Sequence, residues 1–542
     1  MSFPWLSQYP GKINPIIDVS PHQNLMDFLD ESLLRHAGLP ALTSVGRSTS
    51  YAEVKLLSER FASWLQHIGV CQSDRVAIMM PNLAPFAVAV LGALRASATV
   101  VTVNPLYTPR ELAHQLHDSG AKVLLVFEAF APTVLGALQL QPQLEQQLIA
   151  QVVVGFGMTG AQTVPLPKQI AMVQCLQLGA LRPLQPVSLG LQDLAFIQYT
   201  GGTTGVSKGA MLSHGNVMAN IMQMSAWMSP AMSPQEATGK NLVSFLPLYH
   251  IFALTFCLLY SLRNGMHNLL VANPRDLPGA VRELGSQPIH VLPGVNTLFA
   301  GLLAHPPVMQ ALNLKELKLV VGGGSAVQQG VAERWLAATG VPICEGYGLS
   351  ETSPLASCNV VTQPAWTGTI GVPVSNTEIA ILDDHGQPLP TGERGEIAIR
   401  GPQVMQGYWM RPEDTAQAMT VDGFFKTGDI GVMDKQGFIT IVDRKKDMIL
   451  VSGFNVYPNE IEAVVSTLEG VLQSAAVGVP DEKTGEAIKL FVVRTQANLR
   501  EEDVVAHCRA HLTAYKCPKH IEFRETLPMS TVGKILRREL KS

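Results

Sequence analysis

Tyr199-Thr-Gly-Gly-Thr-Thr-Gly-Val-Ser-Lys-Gly209 places four glycines, three threonines, a serine and a lysine within eleven residues. The preceding Leu194-Ala-Phe-Ile-Gln-Tyr199 is apolar and aromatic enough for a strand. Glycine lets a backbone approach a ligand with no Cβ in the way. Successive N–H groups and hydroxyls can then wrap a polyphosphate, with Lys208 as a mobile counter-charge. The spacing is not that of a Walker loop, because Lys208 is followed by Gly209 and Gly205 lies three residues before it. Alone, the stretch reads equally as the polar turn of a hairpin, so its meaning depends on the rest of the chain.

The 542 residues exceed the ~250–300 at which a single core stops growing, so several lobes are expected. Hydrophobic residues make up 47% and charged residues 15%, which suits a large buried core rather than disorder. A net charge of −4 without a long basic run argues against nucleic acid as a partner. The seven cysteines are scattered with no CxxC pair, which predicts reduced thiols, a cytoplasmic setting and no zinc site. Met-Ser-Phe-Pro-Trp-Leu at the start lacks a basic and then apolar region, so no signal peptide is expected. Residues 241–262 are uncharged and near the ~20 needed to span a bilayer. Pro247, with Tyr249 and His250 after it, instead predicts a buried strand at 242–246, a turn, and an apolar helix beyond His250.

Along the chain, apolar positions 54, 57, 61, 64 and 65 share one helical face. Strands are predicted at 74–80, 99–103 and 122–127, with a helix at 86–94. Thr108-Pro-Arg-Glu111 has the spacing of a capping box, and Gly120 is placed to stop the helix that it opens. This alternation argues for doubly wound parallel sheet. Residues 155–190 are rich in Gln, Pro, Gly and Leu and read as a connector. The sheet resumes at 289–292 and 317–321, where Gly322-Gly-Gly-Ser-Ala326 ends the last strand. Ligands of open α/β sheets sit beyond the strand carboxyl ends, so this turn can admit a flat ring, or it is an ordinary tight strand–helix turn. Glu345-Gly-Tyr-Gly-Leu-Ser-Glu-Thr-Ser-Pro354 offers an aromatic face at Tyr347 and a hard oxygen at Glu351, without the second glycine of a serine-hydrolase elbow. Short strands at 378–382, 395–400 and 438–442 predict a small β-rich lobe. After the charged Asp443-Arg-Lys-Lys-Asp447 comes a helix at 458–470 with 461, 464, 465 and 468 inward. Strands at 474–479 and 487–493 and a helix at 501–512 complete a small α+β domain.

Taken together these segments resemble the acyl-adenylate-forming superfamily of acyl-CoA synthetases, luciferases and nonribosomal adenylation domains. The carrying residues, in the family's order, are the 199–209 loop, Leu246-Pro-Leu-Tyr-His-Ile-Phe-Ala-Leu254, the stretches 322–326 and 345–354, Lys426-Thr-Gly-Asp429, residues 443–458 and Met529-Ser-Thr-Val-Gly-Lys-Ile-Leu-Arg-Arg538. Asn104-Pro-Leu-Tyr-Thr-Pro-Arg-Glu111, residues 269–276 and residues 443–458 are most similar to bacterial long-chain fatty-acid–CoA ligases. The resemblance covers nearly the whole chain. It implies an α/β fold with a large N-terminal region of doubly wound sheets and a small β-barrel lobe (1–445), and a mobile α+β C-terminal domain (446–542).

The reaction implied joins a fatty acid, ATP and CoA into acyl-CoA through an acyl-adenylate, with Mg²⁺ as cofactor. By resemblance, Thr200, Gly201, Gly202, Thr203, Thr204, Gly205 and Lys208 bind the ATP phosphates, and Thr200 and Glu351 hold Mg²⁺. Gly323, Gly324, Glu345, Gly346 and Tyr347 form the adenine slot, Asp429 takes the ribose hydroxyls, and Arg444 assists at ribose or phosphate. Lys534 reaches the carboxylate and α-phosphate; by composition alone it is a surface lysine of a basic tail with Arg537 and Arg538. Lys446 is the hinge, Gly453 lies on the pantetheine path, and His250 and Leu254 border the acyl pocket. Some long-chain relatives carry an aromatic gate where this chain has Leu254. Peripheral contact with the inner face of a membrane and a homodimer are both left open by the sequence. Two rival readings remain at this stage: an acyl-AMP ligase that loads a carrier protein, and a silent regulator on the same fold.

Overall fold

Residues 99–102 and 123–127 are all buried and carry no charged side chain, as strands covered on both faces require. A computed structural model describes residues 3–11, 13–156, 165–200, 207–452, 454–481, 483–530 and 533–541. Among these, Leu194–Thr200, Thr99–Thr102, Arg75–Met79, Val123–Phe127, Ala150–Val154 and Gln169–Ala171 lie side by side and parallel. Lys208–Ser213 pairs antiparallel with Leu194–Thr200, and Gly407–Tyr408 adds a short antiparallel edge beyond it. A second sheet runs in the order Val372–Pro373, Leu355–Cys358, Ile343–Gly348, Leu319–Gly322, Val291–Gly294, Asn241–Ser244, His267–Leu270, Pro40–Ser44, Arg47–Ser50, parallel from Ile343–Gly348 to Pro40–Ser44.

Local signals account for the helices. Tyr51–His67 buries Val54, Phe61, Trp64 and Leu65, with Leu57 half-buried. At the start of Pro109–Ser119 the Glu111 N–H donates to Thr108 Oγ1 at 3.3 Å, and Glu111 Oε2 accepts from the Thr108 N–H at 2.8 Å. Gly120 closes that helix in the left-handed region at φ 61°.

The 155–190 connector is more structured than its composition suggested. It contains the edge strand Gln169–Ala171 and the helix Met172–Ala180, which lies on Tyr51–His67. The buried residues are Met172, Cys175, Leu176 and Gly179, a helical i, i+3, i+4, i+7 stripe. A cysteine and a glycine among the four hid that period. Gly179 is what lets the two helices meet: a Cβ there would lie 1.8 Å from the Arg60 carbonyl oxygen. Gly179→Ala is therefore expected to push the helices apart and cost ~3 kcal/mol. The urea midpoint should fall while the KM for ATP stays put; an unchanged midpoint would contradict the packing account.

The uncharged 241–262 stretch divides as expected into strand Asn241–Ser244, a turn and an apolar helix, whose segment Ala253–Tyr260 is wound as a π-helix. Side chains take up carbonyls that this winding frees: Ser261 Oγ and Asn268 Nδ2 both donate to the Cys257 oxygen. Among the described residues no helix is long and apolar enough to cross a membrane.

The lobe expected as a barrel is an antiparallel sheet of Glu378–Leu382, Arg394–Arg400, Phe425–Met433 and Ile439–Arg444, in that order. Its first and last strands are not paired with each other among the described residues. Instead, Ile439 exchanges backbone hydrogen bonds with Ile370 and Gly371. Beyond residue 447, strands Ile449–Val451, Phe454–Val456, Val471–Asp481, Gly485–Arg494 and His520–Phe523 carry helices Pro458–Ser466 and Glu501–His511. Ile449, Val456, Ile461, Val465, Ile488, Leu490 and Val492 form a core of their own there. This unit touches the larger one at Gly330, where a Cβ would stand 2.7 Å from the Ser466 carbonyl oxygen.

Candidate active site

The ends of two parallel strands, Leu319–Gly322 and Ile343–Gly348, meet Asp429 and Arg444 of the antiparallel lobe at one site. Leu319–Gly322 leads into Gly323 and Gly324, the latter at φ +75°. A Cβ on Gly323 would lie 3.1 Å from the Gly346 carbonyl oxygen and 3.3 Å from the Phe252 ring, so the missing side chain is what keeps this wall open. The neighbouring strand Ile343–Gly348 supplies Glu345, Gly346 and Tyr347. Glu345 Oε1 accepts the Val327 N–H at 3.0 Å, and burial pushes its carboxyl up to about 8. At neutral pH this wall of the slot is therefore largely uncharged.

Opposite it, Asp429 and Arg444 are cross-strand neighbours on Phe425–Met433 and Ile439–Arg444. Asp429 is buried; its Oδ2 accepts the Tyr347 hydroxyl at 2.6 Å and its Oδ1 faces Arg444 Nε at 3.1 Å. The sequence reading gave Tyr347 to the adenine and Asp429 to the ribose as separate residues. In the structure they form one hydrogen-bonded unit.

The C-terminal lysine closes the cleft. Residues 530 and 534 bond each other twice, Ser530 N–H to Lys534 O at 2.7 Å and Lys534 N–H to Ser530 Oγ at 3.1 Å. Thr297 Oγ1 donates to the Gly533 carbonyl at 3.0 Å, which ties this segment to the larger unit. The Lys534 side chain then lies over Gly324, with its Cε 3.7 Å from where a Cβ would be. Burial and the charge of Arg444 lower Lys534 to about 8, against the pull of Asp429 and Glu351. His250 is drawn down to about 3, by burial first and Lys534 second, so it is a neutral imidazole. Leu254, one helical turn on, is fully buried, and its N–H donates to the His250 carbonyl at 2.9 Å.

Another side of the site is built on the hairpin of Leu194–Thr200 and Lys208–Ser213. Thr200 and Lys208 face each other in register at its mouth, while Gly201, Gly202, Thr203, Thr204 and Gly205 lie outside the described residues. Lys208 Nζ pairs with Asp414 at 2.5 Å and stands 5.4 Å from the centre of the Tyr408 ring. Glu351, buried in the turn Ser350–Thr352, accepts the Tyr408 hydroxyl at 2.7 Å. Burial raises its carboxyl, and that hydrogen bond opposes the rise. Among the described residues no group of three or more His, Cys, Asp or Glu is placed to cage a metal. A carboxylate with a nearby hydroxyl is instead the sparse hard-oxygen set that suits Mg²⁺ held jointly with phosphates.

Lys446 is exposed, in the turn after Ile439–Arg444, and Gly453 lies outside the described residues. Next to Lys446 is a network that the sequence reading missed. Asp443, fully buried, accepts the Asn459 N–H at 2.9 Å, and Arg537 pairs with Glu462 at 2.8 Å and with the Asn459 side chain at 2.8 Å. Tyr408 and Asp414 were missed as well. Neither belongs to a dense motif, and only the pairing of Gly407–Tyr408 with strand Lys208–Ser213 exposes them.

A lysine from the second unit set against Gly324, Asp429 and Glu351 marks the site, and sequence comparison defines its class. The chain belongs to the AMP-binding enzyme family, whose profile matches residues 29–409, and the family's C-terminal domain matches residues 460–534. Among its relatives, the long-chain-fatty-acid–CoA ligase of Escherichia coli O6:H1 is 47% identical over 99% of this chain and 97% of that protein. The protein of the same name from Haemophilus influenzae is 42% identical over 99% of this chain and 98% of its own length. Of solved structures, ATP-bound MatB from Rhodopseudomonas palustris superposes with a TM-score of 0.83 at 28% identity, covering 96% of this chain and 98% of that one.

Proposed function

We propose that this chain is an ATP-dependent long-chain fatty acyl-CoA synthetase, converting fatty acid, ATP and CoA into acyl-CoA, AMP and pyrophosphate through an acyl-adenylate. The observation that carries the reading is Lys534 lying over Gly324 in the same cleft as Asp429 and Glu351. Relatives named for this activity, 47% and 42% identical over nearly their full lengths, support the substrate class.

A carboxylate resists nucleophiles because of its own charge. Coupling it to AMP makes a mixed anhydride with a good leaving group, and the protein's task is to hold two anions together and stabilise the charge that develops. In this reading Gly323, Gly324, Glu345, Gly346 and Tyr347 receive the adenine, and Asp429 accepts the ribose hydroxyls with Arg444 beside it. Lys208 and the hydroxyls of the 200–205 loop take the outer phosphates. Thr200 and Glu351 hold Mg²⁺, which neutralises phosphate charge when bound. The Lys534 ammonium bridges the fatty carboxylate and the α-phosphate as they join. The fatty chain runs past neutral His250 toward Leu254, where an uncharged imidazole leaves no ionic charge to desolvate.

The same reading divides the chain at 445/446, with Lys446 as hinge. Turning residues 446–542 about it withdraws Lys534 and brings the 452–457 face, with Gly453, to the cleft for CoA. A cytoplasmic location fits the seven free thiols.

Pyrophosphate release from ATP and Mg²⁺, measured with saturated fatty acids of graded length, tests the proposal. Multiple turnovers that require CoA and peak at long chains are expected. A single equivalent of pyrophosphate indifferent to CoA would point to a carrier-protein acceptor instead, and no release with any fatty acid would remove the substrate class.

A further inference from the structure

Residues 405–409 bind both halves of the phosphate site at once. The Met405 N–H donates to the Glu351 carbonyl at 2.8 Å, the Gln406 N–H to the Met211 carbonyl at 2.9 Å, and the Trp409 N–H to the Gly209 carbonyl at 2.8 Å. The segment thus straps the turn that carries Glu351 to the strand that carries Lys208. At its centre Tyr408 is held by its own N–H, which donates to Thr415 Oγ1 at 2.9 Å, and by strand register with Ala210. From there its hydroxyl reaches Glu351 Oε1 at 2.7 Å, and its ring stands 5.4 Å from the Lys208 ammonium.

We propose that Tyr408 is a positioning residue that couples the two charges of the phosphate site, its hydroxyl orienting the Glu351 carboxylate and its ring steadying the Lys208 ammonium. The inference rests on the roles given above to Glu351 and Lys208. Chemistry separates the two contacts. A hydroxyl donating to one carboxylate oxygen fixes the plane of the group and leaves the other oxygen's lone pairs for a hard cation. An aromatic face attracts an ammonium through its quadrupole without neutralising it. Lys208 can therefore leave Asp414 for a phosphate and still be held near Tyr408. A lysine held by Asp414 alone would have to give up its only partner.

Tyr408→Phe removes the hydroxyl and keeps the ring, whereas Tyr408→Leu removes both. The experiment is calorimetric binding of α,β-methylene-ATP, which cannot be cleaved at the bond in question, with Mg²⁺ and then with EDTA. The expected result for Tyr408→Phe is an affinity in EDTA close to that of the wild-type chain and a gain on adding Mg²⁺ that is about tenfold smaller, as for loss of one hydrogen bond to a charged group. Tyr408→Leu is expected to lose affinity in EDTA as well. Unfolding midpoints accompany each titration; if Tyr408→Leu does not fold, the Phe comparison decides alone.

An Mg²⁺ gain in Tyr408→Phe equal to the wild-type gain would overturn the proposal. So would equal losses with and without Mg²⁺, because a merely structural hydroxyl would act on both. Absence of any Mg²⁺ gain in the wild-type chain would overturn it too. Failure of the fatty-acid reading shows itself elsewhere, as nucleotide binding without fatty-acid-dependent pyrophosphate release, and leaves this comparison intact.

Discussion

Lys534→Ala is expected to lower the rate of acyl-adenylate formation by about 10²–10³, the usual cost of losing one preorganised partner for developing charge. The same variant, offered preformed acyl-adenylate and CoA, should make thioester at close to the wild-type rate, because in the proposed swing about Lys446 the Lys534 side chain is withdrawn for that step. This split separates a catalytic lysine from one that only glues the units together, whose loss would slow both steps. The pH profile carries the same information. The working form is the ammonium, and its pKa in the free protein is drawn down to about 8 by burial and Arg444. The charged form is thus present below about 8 and lost above it. kcat/KM for adenylation, which reports the free enzyme, should fall with rising pH through that value. In Lys534→Arg the alkaline limb should vanish even though the rate is reduced, because guanidinium does not titrate in this range. A limb that persists in the arginine variant would assign it to another group.

The second large effect is expected at Asp429. Its carboxylate accepts from Tyr347 and faces Arg444 in the ligand-free cleft, and is proposed to accept the ribose hydroxyls when ATP binds. Asp429→Ala should raise the KM for ATP by about 10²-fold, as expected when two hydrogen bonds to a charged acceptor are lost. The loss of stability should be far smaller, on the order of 1 kcal/mol, because the Arg444 side chain is 42% exposed and water replaces part of its partner. Asp429→Asn keeps the shape and one acceptor and should fall between. Initial rates against ATP concentration check this; an unchanged KM in the alanine variant would remove Asp429 from the ribose site.

Much of this was legible in the chain because the responsible groups cluster in sequence. The strands at 99–103 and 122–127 announce themselves as short runs rich in Val and Leu, broken only by Thr99, Thr102 and Lys122. Thr108 and Glu111 give a helix start at single-residue precision, since the two side chains cap each other's backbone. The stretches 322–326 and 530–534 drew notice only through their place in the family's motif order, since alone they read as a tight turn and a basic tail.

What was not legible arises from pairing across distance. Glu462 sits on a helix whose inward face was read from 461, 464, 465 and 468, yet it is buried because Arg537, some seventy residues on, neutralises it. Arg537 in turn looked like part of a solvated basic tail. Met172–Ala180 was read as connector because small Cys175 and Gly179 stand where larger apolar residues would mark the stripe. Tyr408 is an isolated aromatic whose importance comes from what Glu351 and Lys208 place around it.

The most direct test of the central claim is a two-stage quench. The chain is mixed with ATP, Mg²⁺ and a long-chain fatty acid without CoA, and the bound species is identified by mass. CoA is then added. The account predicts close to one equivalent of acyl-adenylate per chain in the first stage and its conversion to acyl-CoA and AMP in the second. An adenylate that forms but is not discharged by CoA, or the absence of adenylate with any fatty acid, would contradict it.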